Sequence, residues 1–287
     1  MVREILQGVV DLHIHAGPSV AAREVDAAEM LKEAIAAGYK AFVIKDHYFP
    51  TMMSATLVEK HIGNGATLVF GGIAMNNSVG LFNIKAVDSA YNMGAKFVNM
   101  PTVSAKRHID SHKGRHFAGA GSSEVEEEPV YYLDEKGNLK AEVVKFLNYM
   151  AAKPDLILAT GHGSPVEIDA LINEGVRAGV KKILVNHPFL TVNASMEQIT
   201  RWSKLGAYIE LNSSAFPKFV PLDVAGKILE NVDIEQIVVD TDSGQKGGGS
   251  PVDSLYRFVG LLMNDLKVSE QKINMMTKET PSKLLGI

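Results

Sequence analysis

The 287-residue sequence contains no cysteine. That excludes disulfides and thiolate ligands, so any metal must rest on His, Asp, Glu or Lys. It also lacks any apolar run near the roughly 18 to 20 residues of a membrane span, so no membrane partner is expected. Basic residues form no stripe: 29 Lys and Arg are mixed among 33 Asp and Glu, for a net charge of −4. This argues against a nucleic-acid partner and leaves a small-molecule substrate as the expected one. The opening MVREILQGVVDLHIH lacks a signal peptide's order of basic, apolar and small residues. It reads directly as a strand, and a cytoplasmic location is expected. The turn after it, HIHAGPS, is not G-x-G-x-x-G, and the late run KGGGS is not followed by GK[ST]. Dinucleotide and phosphate-loop folds therefore have little support.

What is present is an alternation. Short β-branched apolar runs are followed by longer segments of helical period. The first run, about Gly8 to His15, leads to a helix over Asp26 to Ala37 stopped by Gly38. AFVIKDH, TLVFGGIAM, KFVNMPT, DLILATGH, KKILVNHP, AYIELNSS and EQIVVDTDSG then give seven further strands, with helical segments between and after them. Parallel strands need helical crossovers, and eight units within one domain's length predict a TIM (β/α)8 barrel of the α/β class. The whole chain, 1–287, reads as a single domain. An insertion at 103–138 follows strand four and is too long for an ordinary βα loop. A homo-oligomer is compatible with this composition.

The nine histidines are not scattered. This strand reading puts His13, His15, His47, His162 and His187 at strand ends, and His108, His112 and His116 in the insertion. Only His61 falls on a helix, where the helix dipole accounts for it. The rest gather at the C-terminal face of the barrel, where TIM-barrel active sites form. His13 and His15 alternate by two and share one side of the strand. Two buried imidazoles need partners, and a divalent cation would serve both. Asp240 and Asp242, again two apart, end strand eight beside them; the bland alternative is an N-cap, for which Ser250 and Asp253 are better placed. Lys45 is read as a metal bridge, a substrate anchor or a partner of Asp46, with Lys106 a further candidate bridge. His47 and His108 are candidate substrate contacts. Asp11 is expected to face the opposite end or a helix, in a structural role.

These residues resemble the amidohydrolase superfamily of metal-dependent hydrolases, in particular a poorly characterised group of predicted amidohydrolases. DLHIHAGPS is similar to its strand-one H-x-H, ATGHGS and LVNHP to its histidines on strands five and six, and TDSG to its strand-eight aspartate. The resemblance implies His13, His15, His162, His187 and Asp242 as the metal-site set, and it selects Asp242 over Asp240. It implies hydrolysis by metal-activated water, with Asp242 as proton carrier and His187 assisting catalysis. Strand four ends VNMPT, with neither the Lys nor the Glu that bridges two ions in binuclear members. One ion, zinc foremost with Mn, Fe, Ni or Co as alternatives, is therefore expected. The substrate would be an amide, ester, lactone or related bond of a small molecule. The insertion, with its His, Lys and Arg residues, reads as a lid gripping an anionic substrate, or as a solvated loop or an oligomer contact. A PHP-type phosphoesterase, a lyase or isomerase using the same metal, and a metal-binding sensor or scaffold without hydrolytic activity are the rival readings.

Overall fold

The computed structural model describes residues 2–114, 117, 119–121 and 124–287; His116 lies outside them. Eight strands run β1 (Val10–Ile14), β2 (Ala41–Ile44), β3 (Leu68–Ala74), β4 (Phe97–Asn99), β5 (Ile157–Ala159), β6 (Ile183–Val185), β7 (Tyr208–Asn212) and β8 (Ile237–Asp240). They pair in parallel in chain order, β1 through β8. The sheet then curls back on itself. Just past the end of β8, Asp242 N–H donates to His13 C=O at 2.8 Å and His15 N–H donates to Ser243 C=O at 2.8 Å. The result is the expected TIM-type barrel.

The helices are α1 (Val2–Ile5), α2 (Ala27–Ala37), α3 (Met52–Ile62), α4 (Ile84–Asn92), α5 (Lys106–Ser111) and α6 (Ala141–Ala151). They continue as α7 (Pro165–Ala178), α8 (Met196–Lys204), α9 (Leu222–Asn231), α10 (Pro251–Asn264), α11 (Glu270–Asn274) and α12 (Thr280–Leu285). Their ends follow local chemistry. Asp26 and Glu29 form a capping box on α2, as do Ser164 and Glu167 on α7, where Pro165 supplies a preset first turn. Ser250 caps α10 by accepting from Val252 N–H, which leaves Asp240 and Asp242 free of that duty.

Two apolar layers hold the barrel. Val10, Leu12, Val43, Phe97, Ile157, Leu184 and Val238 fill its interior. A larger shell between strands and helices includes Ile14, Met30, Phe42, Phe146, Trp202 and Phe258. Each fully buried aliphatic side chain contributes about 1.5–3 kcal/mol. The interior plug leaves the other end of the barrel to polar residues. At β1 the pairing register shifts between Asp11 and Ile14. Leu12 joins the interior plug, yet His13 next to it also reaches inward, to Glu210 and Asp242. Strict alternation would have put one of these two outside. Asp11 is structural, at the seam of the barrel and not at its opposite end. Its Oδ1 accepts from the backbone N–H of His13 at 3.0 Å and of Thr241 at 3.3 Å, pinning β1 to the chain after β8. Burial pushes this carboxyl up to about 7.

Between β4 and α6 the chain forms α5, a bridge between Ala105 and Val130, and an antiparallel bridge between Leu133 and Leu139. The second bridge closes a turn at Lys136-Gly137. Gly137 has φ 82, and Asp134 Oδ1 accepts from the N–H of Lys136 and of Asn138.

Candidate metal centre

The TDSG segment makes a sharp turn at the barrel seam. Asp242 has φ 45, and a Cβ on Gly244 would fall 1.8 Å from the His15 carbonyl oxygen, so only glycine fits there. This turn drives the Asp242 carboxylate inward. Its Oδ1 lies 3.0 Å from Nε2 of His13 and 3.0 Å from Nε2 of His15. One ligand atom from each of the three residues falls within 4.8 Å of the others. His187 Nε2 is 4.0 Å from Asp242 Oδ2. Lys45 Nζ sits 2.8 Å from His13 Nε2. Lys45 is thus a partner of His13; Asp46 pairs with Arg23, 3.2 Å away.

Behind His13 stands a residue that the sequence reading passed over. Glu210, on β7 and fully buried, places Oε1 2.8 Å from His13 Nδ1. It also accepts from Asn186 Nδ2 and from the His187 N–H at 2.8 Å. Burial would raise this carboxyl, but the charge and hydrogen bond of His13 hold it well below the usual carboxylate range. Burial in turn disfavours a charged His13, but Asp242 and Glu210 on either side outweigh it and lift it to about 9. With Glu210 on Nδ1, the imidazole of His13 presents Nε2 to the site, the arrangement by which a carboxylate orients a metal-binding histidine. The available signal was the alternation of YIELN, which puts Tyr208, Glu210 and Asn212 on one side of the strand. Asp240 is a neighbour of a different kind. It accepts from Asn212 Nδ2 at 2.9 Å, and burial together with Glu210 pushes it well above the carboxylate range. His13, Glu210 and Asp240 also bring ligand atoms within 4.8 Å, but the oxygens of Glu210 are already engaged.

Four more imidazoles complete a box. His47 ring lies 4.9 Å from that of His15, and His162 lies 4.9 Å from His187. His108, on α5 of the insertion, is only 4% exposed and brings its Nδ1 to 2.8 Å from Nδ1 of His162. It enters the site instead of hanging over it. Among the described residues, three buried ring nitrogens have no hydrogen-bond partner: His15 Nδ1, His162 Nε2 and His187 Nδ1. His15 and His187 turn Nε2, not these Nδ1 atoms, toward Asp242. The orphan a divalent cation would satisfy is therefore His162 Nε2, and with the Nε2 atoms of His13 and His15 and the Asp242 carboxylate the donors suit zinc. On β4, Asn99 has a buried, unpartnered Oδ1, and neither Lys nor Glu is present there.

His47 is held from outside by Asn76. Its Nδ2 donates to His47 C=O at 2.7 Å and to Thr102 Oγ1 at 2.7 Å, and its Oδ1 accepts from the N–H of Thr102 at 2.7 Å and of Ser104 at 3.2 Å. Thr102 Oγ1 in turn lies 2.9 Å from His47 Nδ1. Asn76→Ala would leave several buried groups unpaired at once. A stability loss of about 3 kcal/mol or more is expected in urea titrations.

The neutral histidines also set an acid limit. Burial, then the charge of Arg23, holds His15 down to about 3; burial, then His112, does the same to His108. In the unfolded chain both would titrate near 6.5. Their contribution is therefore complete above pH 6.5 and is lost as pH falls toward 3. By pH 5 each withdraws up to about 2 kcal/mol. Calorimetry of metal-free protein should show Tm falling between pH 7 and pH 5, less steeply in His108→Gln. An identical slope in the variant would show that His108 titrates normally.

The box opens on a cavity of about 1130 Å³ lined by His15, His47, His162, His187 and Asp242, with Phe117 of the insertion on its wall. It widens toward the loops after β7 and β8 and along α10.

The chain belongs to DUF6282, a family of unknown function, which it matches over residues 8–210. No curated protein matches the sequence. Among solved structures it is similar to an amidohydrolase from Pseudomonas aeruginosa, with 11% identity, 99% of this chain and 97% of that one covered, and a TM-score of 0.64. It is similar also to a probable 2-pyrone-4,6-dicarboxylic acid hydrolase from Acinetobacter baumannii with citric acid bound, at 9% identity, 98% and 100% coverage and a TM-score of 0.62. A third is a phosphotriesterase homology protein from Escherichia coli with phosphate in its active site, at 14% identity, 97% and 98% coverage and a TM-score of 0.61. These likenesses are of fold: the barrel is the one that amidohydrolases share.

Proposed function

We propose that the protein is a metal-dependent hydrolase of a small, anionic molecule, cleaving an amide, ester, lactone or related bond. The observation that carries this reading is the convergence of His13, His15 and Asp242 at the C-terminal end of an amidohydrolase-type barrel. His162, with its unpartnered Nε2, completes the set that would hold one ion, zinc foremost, and leaves His187 for the substrate. Such an ion supplies Lewis acidity and brings the pKa of a coordinated water from 15.7 to about 7.

The chain's own groups do the rest. Asp242 is held well below the carboxylate range, mainly because His13 outweighs its burial, so it is ionised at neutral pH. It orients the attacking water, takes its proton on a carboxylate oxygen and passes it to the leaving group. His187 faces the reacting carbonyl and stabilises the oxyanion. Lys218, Lys246 and Arg257 border the cavity and suit an anionic substrate. His47 and His108 contact the substrate, and the 103–138 segment serves as lid through His108, His112 and Phe117.

Elemental analysis of purified protein, followed by hydrolysis assays on ester, lactone and amide panels, tests this reading. About one metal per chain and hydrolysis lost on chelation are expected. No metal under any loading condition would overturn it. Phosphate in the active site of the E. coli neighbour favours phosphoesters as the second substrate class to assay.

A further inference from the structure

Glycine inside a helix costs about 0.5–1 kcal/mol relative to alanine and usually has a local reason. In α7 the reason is packing: a Cβ on Gly175 would meet Ile183 Cδ1 at 3.0 Å. Gly260, in the interior of α10, has no such reason. Its φ is not in the left-handed region, and a Cβ there would meet only Asn264 Nδ2, at 4.0 Å. What Gly260 does border is the cavity that begins at the histidine box.

The cavity follows one side of α10. Ser254, Arg257, Phe258, Leu261, Asn264 and Asp265 recur at helical spacing along its wall. From Ser254 to Asp265 this path measures about 16 Å at 1.5 Å per residue. Its character changes along the way. Near the metal centre it is hydroxylic: Ser254 Oγ lies 2.7 Å from Ser213 Oγ and accepts from Ser243 Oγ at 2.9 Å. Farther along, Phe216, Phe219, Phe258 and Leu261 give it an apolar wall, and exposed Asn264 and Asp265 mark its outer end. Lys218 and Arg257 also border it. A small substrate would need only a fraction of about 1130 Å³, a volume above the usual range for drug-sized ligands.

We propose that this arm is an acyl subsite. The substrate is an ester, lactone or amide whose reacting carbonyl lies at the histidine box and whose extended aliphatic chain runs along α10 over Gly260. The missing side chain keeps the passage open. The proposal rests on the hydrolase reading for the position of the reacting bond. The fit of an aliphatic chain to the arm can be measured without turnover.

The experiment is calorimetric binding of straight-chain carboxylates, butyrate through decanoate, to the full-length protein as isolated. A buried methylene is worth ~0.8 kcal/mol, roughly a three- to fourfold gain in affinity. Decanoate carries six more methylenes than butyrate, so their full burial would tighten binding about 10³-fold, and a gain of at least about tenfold is expected. In Gly260→Trp the indole fills the arm and the ratio of the two affinities should collapse toward one. Gly260→Ala, which favours the helix, should retain most of it and serves as the folded comparison. Equal affinities for butyrate and decanoate in the unmutated protein would overturn the proposal. So would a chain-length gain that survives in folded Gly260→Trp. A gain with chain length in a protein that hydrolyses none of the panel would sink the hydrolase reading and leave the subsite standing.

Discussion

Asp242→Asn is expected to cut turnover by about 10³-fold or more while the chain stays folded. The substitution is clean for a conformational reason. Asp242 sits at φ 45, and asparagine tolerates the left-handed region better than other residues with a Cβ, so the TDSG turn survives. The amide keeps the carboxylate's size but cannot take up a proton at neutral pH. The loss should fall on kcat, measured at matched metal content, because the role assigned to Asp242 is proton transfer. A variant with full metal content and turnover within tenfold of the parent would remove Asp242 from that role.

Glu210 should give the second large effect, with a different signature. Glu210→Ala removes the partner of His13 and strands Asn186 Nδ2 and the His187 N–H in the barrel interior. Breaking a buried charged pair from one side typically costs about 3–5 kcal/mol. Glu210→Gln preserves volume and isolates the effect on the imidazole. Its neutral amide holds the His13 ring less firmly, and metal affinity should fall about 10- to 100-fold. Chelator competition reads the affinity and denaturant unfolding the stability. An unchanged metal Kd in Glu210→Gln would reduce Glu210 to a packing residue.

The contrast between these two acids shows what could be read from the sequence. Asp242 was legible because it sits in a motif, at a strand end, two residues from another aspartate. His13, His15, His162 and His187 were legible because each ends a strand, which placed them at one face of the barrel. Glu210 lies inside a strand with nothing beside it in sequence to mark it. Its meaning comes from His13, 197 positions away. Asn76 likewise acts only through segments that the fold brings together. The irregularity in β1 escaped for a local reason. Alternation over VDLHI gives no sign that Leu12 and His13 both turn inward, because the register is set by β2 and β8. His108 shows the remaining limit: its place in the insertion was clear, but its burial between His112 and His162 depends on how the inserted chain folds back.

The seam between β1 and the chain after β8 bears on biosynthesis. Asp11 and His13 are made some 230 residues before their partners at Thr241 and Asp242. Domains fold as units while synthesis proceeds at about 5–20 residues per second. For most of that time the strand-one histidines exist without the carboxylate that completes their set. A nascent chain stopped before β8 would carry an open sheet edge and an incomplete ligand cluster. If the cluster holds a cation as proposed, capture would wait for synthesis of β8, and fragments ending before it would compete poorly for metal.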